Sequence, residues 1–147
     1  MSRAVSSLRR LDPVSAAVAV AAVDDTWTQE FLHALEAQVR TAPLERFLTS
    51  WDLSLAGAAR VFGVSRQAVS KWRGSGVPED RAVALADLAA ATDVLERYVT
   101  RDRIPAVVRR PSDILGGRSL LDLAESGDHA GVRRAVAHLL DLRRILP

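Results

Sequence analysis

Nine residues, from Ser65 to Arg73, place short polar and basic side chains at helical spacing, a pattern suited to reading base edges in DNA. An Arg side chain can pair bidentately with guanine, and a Gln side chain can pair in the same way with adenine. Between Arg60 and Arg73 there are four basic residues and no acidic one, so the positive charge is local and suits phosphate contacts around one helix. The candidate DNA-contacting residues are Ser65, Arg66, Gln67, Ser70, Lys71 and Arg73.

The segment from Leu55 to Trp72 has the spacing of a helix-turn-helix that would position these side chains. Gly63 lies at the turn, where a residue without a Cβ atom adopts a positive φ at least cost. Ser65 can cap the second helix by accepting a hydrogen bond from a free N–H group. Val69 and Trp72 lie three residues apart and face inward, which leaves the polar set on the opposite face. The alternative interpretation is an ordinary helical hairpin with a solvated second helix.

The composition predicts an all-α protein. The 147 residues are rich in Ala, Leu, Val and Arg, only 5% are aromatic, and no long stretch alternates with period two. The chain has no cysteine, which excludes a disulfide, a thiol nucleophile and a thiolate metal site, and its three histidines follow no ligand spacing. We therefore expect no catalytic residue, no metal site, no cofactor and no enzymatic activity.

The N-terminal region raises the question of export. Arg3, Arg9 and Arg10 precede an apolar run from Val14 to Val23, which is the order of regions in a signal peptide. The run is shorter than the roughly 20 apolar residues that span a bilayer, and a DNA-reading motif follows it. Residues 13–23 are therefore interpreted as a packing helix or a mobile arm of a cytoplasmic protein without a membrane partner.

Apolar spacing predicts two further long helices. The first carries one apolar stripe that consists of Trp27, Phe31, Leu32, Leu35 and Val39. Pro43 should end or restart this helix, because proline lacks the N–H group that the helix interior needs. The second helix should run from about Glu79 to Thr100.

The last forty residues read as capped short helices. Gly116 and Gly117 should end a short helical turn. Ser119 should then cap the next helix, with Asp122 three residues later completing a pair that resembles a capping box. Asp128 should cap the last helix. On these residues alone, the region is a compact helical subdomain without a chemical site.

The helix-turn-helix, the long helix and this segment together resemble the Xre/MbcA/ParS family of antitoxins. The similarity covers approximately residues 47–147, and the Leu-Gly-Gly-Arg segment makes it specific. The residues that carry it are Trp72, Pro78, Pro111, Leu115, Gly116, Gly117, Arg118, Ser119, Leu121 and Leu123.

The resemblance implies a type II antitoxin that binds a toxin of the RES fold, which consumes NAD⁺, and represses the promoter of both genes. In this family the C-terminal domain binds the toxin, and the end of the chain can obstruct the toxin's active site. The candidate toxin-binding residues are Gly116, Gly117, Arg118, Arg143, Arg144, Ile145, Leu146 and Pro147. For Arg118, a structural salt bridge and a toxin contact both remain open.

The expected architecture is an all-α protein with a helix-turn-helix core, an N-terminal helical extension and a small C-terminal toxin-binding subdomain. The corresponding ranges are 1–43 for the extension, 44–103 for the core and 104–147 for the subdomain. The expected partners are a double-stranded DNA operator, a cognate RES-type toxin and a second copy of the chain in a homodimer. The alternative is a stand-alone transcriptional regulator whose C-terminal subdomain serves dimerisation or another partner.

Overall fold

A computed structural model describes residues 25–145, including the side chains of residues 26–36, 39 and 41–141. The chain divides into two compact units, residues 1–36 and residues 37–147. The regular structure of the described residues is helical apart from one isolated antiparallel bridge between Ser112 and Arg118, which confirms the all-α prediction. The predicted packing helix or arm at residues 13–23 lies outside the described residues.

The described helices follow one another closely along the chain. They are α1 Asp25–Trp51, α2 Leu55–Phe62, α3 Arg66–Ser75, α4 Glu79–Tyr98, α5 Ile104–Arg109, α6 Leu120–Glu125 and α7 His129–Ile145. Two short 3-10 turns, Arg101–Arg103 and Asp113–Leu115, precede α5 and α6.

Pro43 does not end the first helix, so the predicted break is wrong. It lies inside α1, which continues to Trp51. An interior proline removes a backbone hydrogen bond and costs about 3 kcal/mol. The following turns offset that cost because Leu44, Phe47 and Trp51 are fully buried there, and burying one such side chain contributes about 1.5–3 kcal/mol.

The core of the second unit lies between α1, the α2–α3 pair, α4 and the three C-terminal helices. Leu85, Leu88 and Leu95 form the buried face of α4, which packs against α7. Helix α6 packs against both α2 and α7. Val132 and Val136 are buried on α7. The predicted core and the C-terminal region therefore belong to one compact unit.

Arg109 connects the C-terminal region to the end of α1. Its guanidinium group donates to the carbonyl oxygens of Trp51 and Asp52, at 2.8 and 2.9 Å. The last carbonyl groups of a helix have no partner within the helix, so this arginine caps α1 from 57 residues away along the chain.

A polar cluster joins α1 to α4 next to the core. The Glu96 carboxylate accepts hydrogen bonds from Arg46 and from the hydroxyl group of Ser50, and Arg101 lies 3.5 Å away. The hydrogen bond from Arg46 holds the pKa of Glu96 below its usual value. A carboxyl group with a lowered folded-state pKa stabilises the fold above its unfolded-state pKa of about 4.3, and this contribution is lost as the pH falls through the folded value.

We expect Glu96→Gln to reduce the free energy of unfolding at pH 7 by about 1.5–3 kcal/mol, the range for a hydrogen bond to a charged group. Urea denaturation at pH 7 and at pH 3 measures the free energy of unfolding of both proteins. The difference from the wild-type protein should shrink at pH 3, because this pH lies below the unfolded-state pKa of about 4.3, where the contribution of the lowered Glu96 pKa is already falling. Glu125→Gln is the control, since Glu125 forms an exposed pair with Arg60 that should contribute less. A Glu96→Gln difference that stays constant with pH would contradict the assignment.

Candidate functional site

The predicted DNA-contacting residues share one exposed helix end and one exposed helix face. Ser65 is the N-cap of α3, and its hydroxyl oxygen accepts a hydrogen bond from the backbone N–H of Ala68 at 3.1 Å, which confirms the predicted cap. Gly63 has the expected positive φ of 64° in the turn between α2 and α3. All six candidate side chains are exposed. They are Ser65, Arg66, Gln67, Ser70, Lys71 and Arg73.

The opposite face of α3 is held by a chain of aromatic contacts. Val69 is fully buried and Trp72 is 5% exposed, so the predicted helix phase is confirmed. The Trp72 ring meets the edge of Phe62 at 5.5 Å, and Phe62 meets the edge of Phe47 at 6.1 Å. Phe47 in turn contacts Trp51 at 4.9 Å. These contacts orient α3 so that its apolar side is buried and its polar side faces solvent.

Two of the basic residues around α3 carry ion pairs. Arg73 donates two hydrogen bonds to Glu45 of α1, and these bonds raise the pKa of its guanidinium group. Arg60 on α2 pairs with Glu125 of α6 at 3.1 Å. Part of their charge is thus compensated within the protein. Neither Arg66 nor Lys71 belongs to a described ion pair, so both present uncompensated positive charge to solvent.

The Leu-Gly-Gly-Arg segment forms a tight exposed turn. Gly116 and Gly117 have φ values of 67° and 79°, and the N–H of Gly117 donates to the carbonyl of Ser112 at 2.9 Å. These glycines end the 3-10 turn as predicted, because side chains disfavour positive φ. A Cβ atom on either glycine would meet no atom within 4 Å. The outer side of this turn is therefore open to a partner.

Arg118 is fixed to the end of α6 by hydrogen bonds. Its guanidinium group donates to the carbonyl of Asp122 at 3.1 Å and to Ser126 Oγ at 2.8 Å. Ser119 forms the predicted capping box with Asp122, and the backbone N–H of Ser119 lowers the pKa of that carboxyl group. Arg118 thus has a structural role and remains exposed.

The side chains of Arg143, Arg144 and Ile145, and all of Leu146 and Pro147, lie outside the described residues. Ile114 is an exposed residue that the sequence analysis missed, with 53% of its surface accessible next to the two glycines. The sequence feature that could have indicated it is an apolar residue within the short turn Asp113–Leu115, which is too short to bury the side chain.

Two further features, a metal-ligand cluster and a membrane-spanning helix, are absent from the described residues. No group of His, Asp or Glu side chains in this part of the chain has the arrangement of a metal site. No helix described here has the length and apolarity needed to cross a membrane.

Comparison with known proteins identifies a structural relative. The fold matches a chain of the Mycobacterium tuberculosis MbcT–MbcA toxin–antitoxin complex with a TM-score of 0.54 and 20% sequence identity. The match covers 66% of this chain and 89% of the other. No protein-family model and no curated protein sequence matches the chain. At this identity the similarity establishes a shared all-helical fold.

The buried position of Trp72 can be tested separately from any ligand. Trp72→Ala should reduce the free energy of unfolding by about 3–5 kcal/mol, as expected for a buried large aromatic residue. The neighbouring change Lys71→Ala alters an exposed position of the same helix and should shift stability by no more than about 0.5 kcal/mol. Thermal melts of the two variants provide the comparison. A Trp72→Ala protein that melts like the wild type would show that the phase of α3 is wrong.

Proposed function

We propose that this chain is a type II antitoxin that binds and neutralises a toxin protein and represses its own operon by binding an operator. The observation that carries the proposal is the shared fold with a chain of a toxin–antitoxin complex, in which MbcA is the antitoxin. The exposed Leu-Gly-Gly-Arg turn supports a protein partner, and the exposed face of α3 supports a DNA partner. In this proposal the chain binds and represses, and it catalyses no reaction.

Helix α3 is the recognition helix of the proposal. Its N-terminus is capped by Ser65, and its exposed face presents Arg66, Gln67 and Lys71. A recognition helix in the major groove contacts bases through residues near its N-terminus. Because one short helix reads only a few base pairs, we propose a homodimer on a two-fold operator with half-sites about 34–36 Å apart.

The proposed toxin surface is centred on Gly116, Gly117 and Ile114. Both glycines are exposed, and a Cβ atom built on either would meet no atom within 4 Å. An exposed isoleucine beside open backbone offers a partner both apolar area and hydrogen-bonding groups. The proposed toxin has the RES fold and consumes NAD⁺, and the end of the chain, Arg143 to Pro147, would reach its active site.

A stand-alone transcriptional regulator is the second candidate, because the exposed face of α3 requires no toxin. The neighbouring reading frame distinguishes the two. A RES-type gene next to this one favours the antitoxin, and its absence favours the regulator.

The proposed DNA contacts predict two different effects of substitutions on DNA binding. Arg66→Ala and Gln67→Ala should each weaken operator binding by about 1–3 kcal/mol and relax the sequence requirement at one position. Lys71→Ala should weaken binding to all duplexes alike and reduce the slope of log K against log salt by about 1. Arg97→Ala, an exposed change on α4, is the control. Gel shifts over a salt series measure all four, and unchanged affinity in the three α3 variants would exclude this helix as the reader.

The toxin contact predicts a position-specific loss of neutralisation. Gly117→Gln should release a co-expressed toxin while the free antitoxin still binds the operator. Gly127→Gln is the matched control, because Gly127 also has a positive φ of 84° and open space around its Cα. Both changes carry a similar backbone strain of about 1–2 kcal/mol. Deletion of Leu142 to Pro147 should act like Gly117→Gln if the terminus obstructs the toxin.

Growth and cellular NAD⁺ after induction of the neighbouring gene are the measurements for these variants. Equal toxicity with Gly117→Gln and Gly127→Gln would mean that backbone strain, rather than a lost contact, causes the release. A neighbouring product that is not toxic, or that the wild-type chain does not bind, would leave the stand-alone regulator as the function.

A further inference from the structure

The first three turns of α1 expose an apolar stripe that the described chain leaves uncovered. Trp27 is 41% exposed, Phe31 44%, Leu32 52% and Leu35 41%. The rings of Trp27 and Phe31 stack in parallel with their centroids 5.3 Å apart, which makes the start of the stripe flat. Large apolar residues at this spacing are typical of a helix face that packs against another element.

The stripe carries no charge. At 3.6 residues per turn, its four residues occupy an arc of about 140°. The titratable residues of the same turns, Glu30, His33 and Glu36, project from the rest of the helix circumference, and all three are exposed. Helix residues 26–36 are thus amphipathic, with a neutral face and a polar face.

We propose that this stripe is the interface between two copies of the chain. A two-fold axis brings each residue near it against its own copy, so a charged residue there would repel itself. A face whose charges all lie elsewhere can meet its copy without that penalty. The stripe is also complementary to itself, because an antiparallel copy centred on Phe31 places Trp27 of each chain against Leu35 of the other and the two Phe31 side chains against each other.

The available area fits a dimer of moderate affinity. Fully exposed large side chains present roughly 150–250 Å² each, so the stripe contributes about 350 Å² of apolar surface per copy. Homodimer interfaces are about 65% apolar. If the stripes of both copies supply that apolar share, the total buried area is about 1,100 Å², close to the lower limit of about 1,200 Å² for stable complexes. We therefore expect dissociation in the micromolar range. The interface specifies the homodimer of the proposed function and rests on that proposal for its link to DNA, but its test needs neither DNA nor toxin.

Sedimentation equilibrium of the full chain at about 1–100 μM tests the interface. The wild-type protein should dimerise, and Leu32→Glu should weaken dimerisation at least about 100-fold because it buries a carboxylate against its own copy. Gln29→Glu adds the same charge outside the stripe, at another exposed position of the same helix, and should leave the dimer intact. Circular dichroism should show equal helix content in all three, since Leu32 is already half-exposed in the single chain.

Cysteine cross-linking tests the antiparallel arrangement, because the chain has no cysteine of its own. In an antiparallel pair centred on Phe31, two copies of Phe31→Cys should oxidise to a disulfide. Trp27→Cys should not cross-link with itself, because its two copies would be offset by about 12 Å along the helix, beyond the roughly 7 Å limit between the Cα atoms of a disulfide. A mixture of Trp27→Cys and Leu35→Cys should form the mixed disulfide.

Several outcomes would overturn the inference. A monomeric wild-type protein at 100 μM, or a Leu32→Glu protein as dimeric as Gln29→Glu, excludes this interface. If Leu32→Glu lowers helix content or melting temperature without changing the mass, another part of the same chain covers the stripe. Self-cross-linking of Trp27→Cys excludes the antiparallel pairing. Loss of operator binding in a protein that still dimerises would instead count against the proposed DNA function.

Discussion

The packing of the aromatic residues Phe47, Trp51, Phe62 and Trp72 is the constraint on which the described core depends. These rings connect the end of α1 to α2 and to the inner side of α3. Trp51 also donates from Nε1 to the hydroxyl oxygen of Thr92 at 3.0 Å, and Thr92 donates to the carbonyl of Leu88. A buried indole N–H without a partner would be costly, so this bond fixes the register between α1 and α4. The orientation of the exposed α3 face follows from the same contacts, since Trp72 occupies its inner side.

The sequence was most informative where a residue type has a local backbone role. Gly63 and Ser65 specified the turn and the cap of α3, and Ser119 with Asp122 specified the start of α6, because each of these features depends on atoms within three residues. The apolar spacing of Val69 and Trp72 likewise gave the correct inner face. The predicted break at Pro43 is wrong because the local cost of the proline is offset by the burial of Leu44, Phe47 and Trp51, which is a tertiary effect.

The remaining features depend on contacts between distant residues. The sequence offers no reason for Arg109 to cap α1 or for Arg60 to pair with Glu125, since 57 and 65 residues separate the partners. The stripe on α1 was recognisable as amphipathic, but amphipathicity does not say whether a face is covered by its own chain or left exposed. Ile114 was not predicted as an exposed site residue, because a single apolar residue in a short turn forms no periodic pattern.

The contacts of α2 imply that the two proposed binding functions share a scaffold. Helix α2 lies directly before the turn into α3, and its residue Val61 offers its carbonyl oxygen to the ring of His129 at 2.8 Å. That ring also contacts Phe62, while Arg60 pairs with Glu125 at the end of the helix to which Arg118 is bonded. A partner that shifts the turn at Gly116–Gly117 would therefore act on α6, and through α6 on the helix that supports α3. Both surfaces belong to the same compact unit. DNA binding is therefore independent of partner binding only if α6 keeps its position against α2 when a partner binds the turn.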